Sequence, residues 1–152
     1  MDFKIQKGEL PLLNPRAIER AVEAFAREID VHGDSIGFQN QTIKSIYHSV
    51  HDGSGDFWLA HENGEVVGYC LGRVGVDIDD RLTYWLSQAW VSPQTRGTHF
   101  VRAWLQQLKD HAKSRMCRHI VVISGRNGQE AAYCRFLGKG FSPYAVLLKQ
   151  DI

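Results

Sequence analysis

The side chains able to do chemistry are scattered along this chain, and their spacing excludes more than it supports. Seven histidines and three cysteines contain no HExxH, no CxxC and no Cys/His ligand spacing, so zinc and dithiol chemistry have no footing. His48 and His51, three apart on an expected helix, come nearest to a ligand pair, and no metal is expected there. GxSxG, a P-loop Gly-Lys-Ser/Thr and GxGxxG are all absent, which leaves hydrolase and nucleotide-site readings without a start. What remains is backbone chemistry. Val91 to Leu105, Val-Ser-Pro-Gln-Thr-Arg-Gly-Thr-His-Phe-Val-Arg-Ala-Trp-Leu, reads as a strand end, a tight turn and a helix start. The first N–H groups of a helix have no intrahelical partner and sit at the positive end of its dipole, so a phosphate or pyrophosphate can dock there. Pro93 ends the strand and Gly97 permits the turn. His99 falls in the first helical turn, where the dipole disfavours imidazolium and suits a neutral ring.

The elements that must position this junction follow from periodicity. Phe3 and Ile5 alternate as an edge strand, broken by Gly8 to Pro11. Asn14 and Pro15 open a helix whose Ile18, Ala21, Val22, Phe25 and Ile29 face inward, ending near Gly33. A shorter helix is expected from Gln39 to Val50, with Ile43, Ile46, Tyr47 and Val50 inward. Asn63-Gly64 supplies the positive φ angles of a type I′ turn between two apolar runs, Phe57 to Glu62 and Glu65 to Val74, so these form a hairpin. Leu82 to Val91 is a third strand of the same meander. A helix to about Ser114 follows, with Phe100, Val101, Trp104, Leu105, Leu108 and Ala112 on one side. Ile120 to Ile123 suits a strand buried on both faces, Gly128 to Leu137 a last helix, and Ala145 to Leu148 a closing strand.

At 152 residues with no linker or repeat, one domain over residues 1–152 is expected. A formal charge of +1 gives no indication of nucleic-acid binding. No run is long and apolar enough to span a bilayer, and no leader-like apolar stretch opens the chain, so a cytoplasmic protein without a membrane partner is expected. Cys70, Cys117 and Cys134 are expected as three buried thiols in a reducing compartment.

Val91, Pro93, Arg96-Gly97, Phe100, Ala103 and Leu105 together resemble the acyl-CoA loop of the GNAT superfamily of N-acyltransferases, roughly Val-x-Pro-x-x-Arg-Gly-x-Gly-Ile-Gly-x-x-Leu-Leu. Arg135-Phe136-Leu137-Gly138-Lys139-Gly140-Phe141 is similar to the family's later Tyr-x-Lys-x-Gly-Phe. The element order, β-α-α-β-β-β-α-β-α-β, is also that of the family, and the resemblance covers nearly the whole chain. It implies an α/β (α+β) fold, a mixed and mostly antiparallel sheet flanked by about four helices. In this register the second and third loop glycines are His99 and Val101, which makes the phosphate loop degenerate.

The resemblance implies acetyl-CoA as co-substrate and no metal. The pantetheine arm would lie beside Ala89, Trp90 and Val91, in the gap where the third meander strand and the next strand part. The pyrophosphate would sit on Arg96, Gly97, Thr98, His99, Phe100 and Val101. Phe136 stands where the family often has a tyrosine acid, and Tyr133, one turn earlier, is the candidate to replace it. No acidic residue occupies the third meander strand, where Ser87 or Gln88 would at best orient a water. His32 and Asp34 would lie near the acceptor mouth. Two functions follow: an N-acetyltransferase acting on an amine of a small molecule or peptide, or a non-catalytic module of this fold that binds a protein partner or other ligand. Homodimerisation is left open.

Overall fold

A computed structural model describes residues 2–6, 15–29, 35–96, 99–123, 140–142 and 150. Within them the chain forms β1 (Asp2–Gln6), α1 (Pro15–Ile29), α2 (Ser35–Asp52), β2 (Asp56–Glu62), β3 (Glu65–Val76), β4 (Leu82–Val91), a 3₁₀ turn (Pro93–Thr95), α3 (His99–Ser114) and β5 (His119–Val122). The strands make one sheet in chain order, antiparallel from β1 to β4 and parallel between β4 and β5. This is the expected mixed, mostly antiparallel α/β architecture. The helix expected at Gly128 to Leu137 and the strand at Ala145 to Leu148 lie outside the described residues. No helix among the described residues is long and apolar enough to cross a membrane.

Both faces of the sheet are covered, which is why β2 reads as a continuous apolar run. Phe57 and Leu59 of β2, Tyr69 and Leu71 of β3 and Trp90 of β4 pack on Ile18, Ala21 and Val22 of α1 and Ile46 and Val50 of α2. Trp58, Ala60, Cys70, Tyr84, Leu86 and Val91 face the other way, against the six α3 positions anticipated from periodicity. The hairpin turn is also as expected, with Asn63 at φ 51° and Gly64 at φ 80°.

Four details differ from the sequence reading. Helix α2 begins at Ser35, four residues early, because Ile36 is exposed and gives no inward signal there. Its first turn is closed instead by Gln39 Nε2 donating to Ser35 Oγ at 2.9 Å. Thr42 is buried while Ile43 and Tyr47 are half-buried, the reason being a polar contact described below. Strand β5 is half-buried rather than enclosed: Ile120 and Val122 pack on the α3 side, and alternation turns Val121 to the other face. Cys117 is half-buried in the turn after α3, whereas Cys70 is buried; Cys134 lies outside the described residues.

One polar chain is built into the α3-side core. Trp58 Nε1 donates to Tyr84 Oη at 2.8 Å, and Tyr84 Oη donates to Asp56 Oδ2 at 2.9 Å. His111 Nε2, near the end of α3, lies 2.7 Å from the same carboxylate oxygen, and both Trp58 and Tyr84 meet its ring edge-on. Gly72, opposite Asp56 in the β2–β3 register, makes room for this: a Cβ there would come within 2.4 Å of the Tyr84 hydroxyl. No buried side-chain nitrogen or oxygen among the described residues lacks a partner, so the chain is saturated.

Burial pushes the Tyr69 and Tyr84 phenols and the Cys70 thiol well above their ordinary values of 10.0 and 9.0, with the Asp56 charge adding to the shift at Tyr84 and Cys70. The neutral forms are the ones the fold accommodates, so the unfolded chain ionises first. These three groups therefore cost no stability below about pH 9 and an increasing amount above it, measurable as a falling urea midpoint by circular dichroism. Tyr84→Phe is expected to cost about 1–3 kcal/mol at neutral pH, because Trp58 Nε1 loses its acceptor.

Candidate functional site

Strand β4 is paired on both edges only for part of its length. The parallel ladder with β5 runs from Thr83↔His119 to Leu86↔Val122 and closes with Ile123 N donating to Leu86 O at 2.9 Å. On the other edge, pairing with β3 slips at the same point: Gly72 faces Leu86 and Leu71 faces Gln88, so Ser87 is an extra residue. A bulge bends and twists its strand, and this one falls where the β5 ladder ends. Beyond it, Ser87 to Val91 have no β5 partner among the described residues. Ser92 N donates to Val67 O of β3 at 2.8 Å, so the N–H and C=O of Val91 face the opposite, open edge.

The turn into α3 is held by short-range polar contacts. Thr95 N donates to Ser92 O at 2.9 Å and the two hydroxyls lie 2.7 Å apart, both residues being buried. Gly97 and Thr98 lie outside the described residues. Helix α3 then starts at His99, whose side chain is exposed, while Phe100 and Val101 turn into the α3-side core. The height of this start is set by Gly68, which faces Val91 across β3–β4. A Cβ at Gly68 would lie 2.8 Å from the Trp104 ring, so only glycine lets α3 sit this close.

Arg96 is at the loop, as expected, but its guanidinium is turned toward α1. Nε donates to Val91 O at 2.9 Å, and Nη2 contacts both oxygens of Glu28 at 2.5 and 2.6 Å. Trp90 Nε1 reaches the same Glu28 oxygen at 3.2 Å. The sequence reading missed Glu28, although a signal existed: with Ala21 and Phe25 it continues the inward stripe of α1, where a carboxylate is out of place. Gln88, expected at most to orient a water, is occupied on both ends of its amide. Its Oε1 accepts from Tyr69 Oη at 3.2 Å and its Nε2 donates to Thr42 Oγ1 at 3.1 Å. That contact explains the burial of Thr42.

Of the residues expected to bind a cofactor, the structure brings Ala89, Trp90, Val91, Arg96, His99, Phe100 and Val101 to one end of the sheet. Ala89 is half-buried, and Trp90 and Val91 are buried on opposite faces. Tyr133, Phe136, His32 and Asp34 fall outside the described residues. His48 and His51 are exposed on α2, and no group of three metal-ligating side chains occurs among the described residues.

The arrangement is an antiparallel meander whose last strand, paired in parallel with β5 as far as Leu86, is followed by a turn and a helix start. The acetyltransferase (GNAT) family profile matches residues 19–139, and the chain belongs to that family. Among solved structures, a GCN5-related N-acetyltransferase from Ralstonia eutropha JMP134 is 18% identical with a TM-score of 0.71, covering 99% of this chain and 97% of that one. A predicted acetyltransferase from Clostridium acetobutylicum, solved with acetyl-CoA, is 13% identical with a TM-score of 0.70, covering 99% and 96%. An aminoglycoside 6′-N-acetyltransferase from Acinetobacter haemolyticus is 14% identical with a TM-score of 0.68, covering 100% and 99%. At these identities the likeness is one of fold. No curated protein matches the chain.

Gln88→Ala tests the α1-side network apart from any ligand. It removes the acceptor of the buried Tyr69 hydroxyl and the partner of Thr42, and is expected to cost about 1–3 kcal/mol in chemical denaturation. An unchanged urea midpoint would show that water replaces the amide at both ends.

Proposed function

We propose that the chain is an acyl-CoA-dependent N-acetyltransferase acting on an amine of a small molecule or peptide. The observation that carries this reading is the edge of β4 past Leu86, without a β5 partner among the described residues, followed by a short turn and the start of α3. The outward N–H and C=O of Ala89 and the outward N–H of Val91, whose carbonyl is taken by Arg96 Nε, suit the amides of a pantetheine arm. The head of α3, at the positive end of the helix dipole, suits the pyrophosphate. Arg96 adds to it through Nη1, which has no partner among the described residues.

The reaction asks little more of the protein. A neutral amine attacks the thioester carbonyl, a base or water takes the amine proton, and the thiolate leaves. Backbone N–H steadies the oxyanion. Gln88 is an amide held at both ends and so no base, and water is the proposed proton acceptor. Tyr133 is proposed as the acid for the departing thiolate in place of Phe136, and His32 and Asp34 as acceptor-side residues. A second reading, a non-catalytic module that binds a partner through this cleft, is favoured by the replacement of two family glycines by His99 and Val101.

Isothermal titration with CoA and acetyl-CoA tests the reading, and binding of neither overturns it. Arg96→Ala is expected to weaken CoA binding by about 1–3 kcal/mol, as for a charge-assisted contact. His99→Gly is expected to leave affinity unchanged or raise it; a clear loss would make the imidazole a ligand contact. With an amine panel and acetyl-CoA, Tyr133→Phe should cut turnover by about 10- to 100-fold while Phe136→Tyr changes little. If Phe136→Tyr raises turnover and Tyr133→Phe does not lower it, the acid is missing rather than relocated. CoA binding without turnover on any amine leaves the binding module.

A further inference from the structure

The open edge of β4 needs something to hold it. Elsewhere in the sheet a ladder fixes each strand, but past Leu86 the β5 side has no ladder among the described residues. The Val91 carbonyl on that edge is taken by Arg96 Nε, and the same guanidinium is gripped by both oxygens of Glu28. Glu28 also accepts from Trp90 Nε1. Three contacts therefore reach Glu28 in the last turn of α1 from Trp90 and Arg96, and a fourth joins Arg96 to Val91 at the end of β4. The pair is neither buried nor free in water, with Glu28 at 23% and Arg96 at 31% side-chain exposure, so the bonds are only partly screened.

We propose that Glu28 is a positioning residue, which acts through Arg96 and Trp90 to hold the open edge of β4 in register for the pantetheine arm. The role rests on the acyl-CoA reading above. Glu28 touches no reacting atom. Its work is to keep the Val91 carbonyl satisfied and the strand end fixed, so that the arm meets a preformed edge instead of ordering one as it binds.

Removing the carboxylate has two effects of opposite sign. It frees the edge, which weakens binding, and it removes a negative charge near the phosphates, which strengthens binding of CoA. Pantetheine carries no phosphate and feels only the first effect. The test is therefore made with pantetheine as well as CoA, on Glu28→Gln, Arg96→Gln and the double variant, by NMR titration. Amide hydrogen exchange is read in parallel over residues 88–96.

In Glu28→Gln the 88–96 amides should exchange faster, with the β2–β3 hairpin unchanged, and pantetheine affinity should fall about three- to tenfold. Arg96→Gln should do the same, and the double variant should be no worse than either single one. Should Glu28→Gln fail to fold, Glu28→Asp and Arg96→Lys serve. The first keeps the charge but shortens its reach, and the second cannot bridge Val91 and Glu28 at once. Each should lower pantetheine affinity. Unchanged exchange and unchanged pantetheine affinity would overturn the role while leaving the acyl-CoA reading standing, as would strictly additive losses in the double variant. An unsubstituted chain that binds neither CoA nor pantetheine overturns both.

Discussion

The structure depends on β4 being paired along both edges as far as Leu86 and, among the described residues, along one edge beyond it. A strand interior does not leave its ladder without cost, since each buried donor or acceptor without a partner is worth about 1–3 kcal/mol. Two features make the departure tolerable. The extra residue at Ser87 re-aims the strand where β5 stops, and Arg96 folds back to accept the burden of the Val91 carbonyl. What stays open is a short stretch of extended backbone at the head of a helix. Polar backbone on one side and the head of a helix on the other are what the proposed binding edge would be built from, main-chain chemistry alone.

The two faces of the sheet divide the work of keeping that edge in place. On the α3 side, Asp56, Tyr84, Trp58 and His111 lock the end of α3 to the start of β2, several residues along the sheet from the open edge. Trp104 against Gly68 fixes the same helix near its start. With both ends placed, the direction in which the first α3 amides point is set by packing. On the α1 side the polar contacts gather at the open edge itself, where Gln88 ties β4 to β3 and α2, and Glu28 ties the loop to α1. The saturated network provides rigidity and the edge-side network provides placement.

Much of this was legible in the sequence because it follows from period and turn chemistry. Asn63-Gly64 announces its hairpin, the six apolar positions of α3 announce its buried face, and Pro93 announces the end of β4. The sheet-wide architecture was implied by the family resemblance that those elements, in that order, helped to carry. What periodicity does not encode is side-chain pairing across long separations. Glu28 and Arg96 are 68 residues apart and Asp56 and His111 are 55 apart, and nothing local links either pair. The bulge at Ser87 was equally invisible, since it is defined by register against β3 and not by composition. The start of α2 was missed for a simpler reason: an exposed Ile36 breaks the pattern that the eye follows.

The two replacements in the glycine pattern are not equivalent once the helix is in place. Val101 is buried among the α3-side core residues, so its side chain is spent on packing against the sheet and extends away from solvent. A glycine there would leave a gap that the surrounding core would have to close, at a cost set by the lost contacts. His99 is exposed, and an exposed side chain changes rotamer on a fast timescale at little cost. For the proposed phosphate approach at the head of α3, His99 is therefore the one of the two side chains that lies outside the core. This shifts the balance between the two functional readings: the feature that most favoured a closed cleft from sequence is, at Val101, a feature of the core.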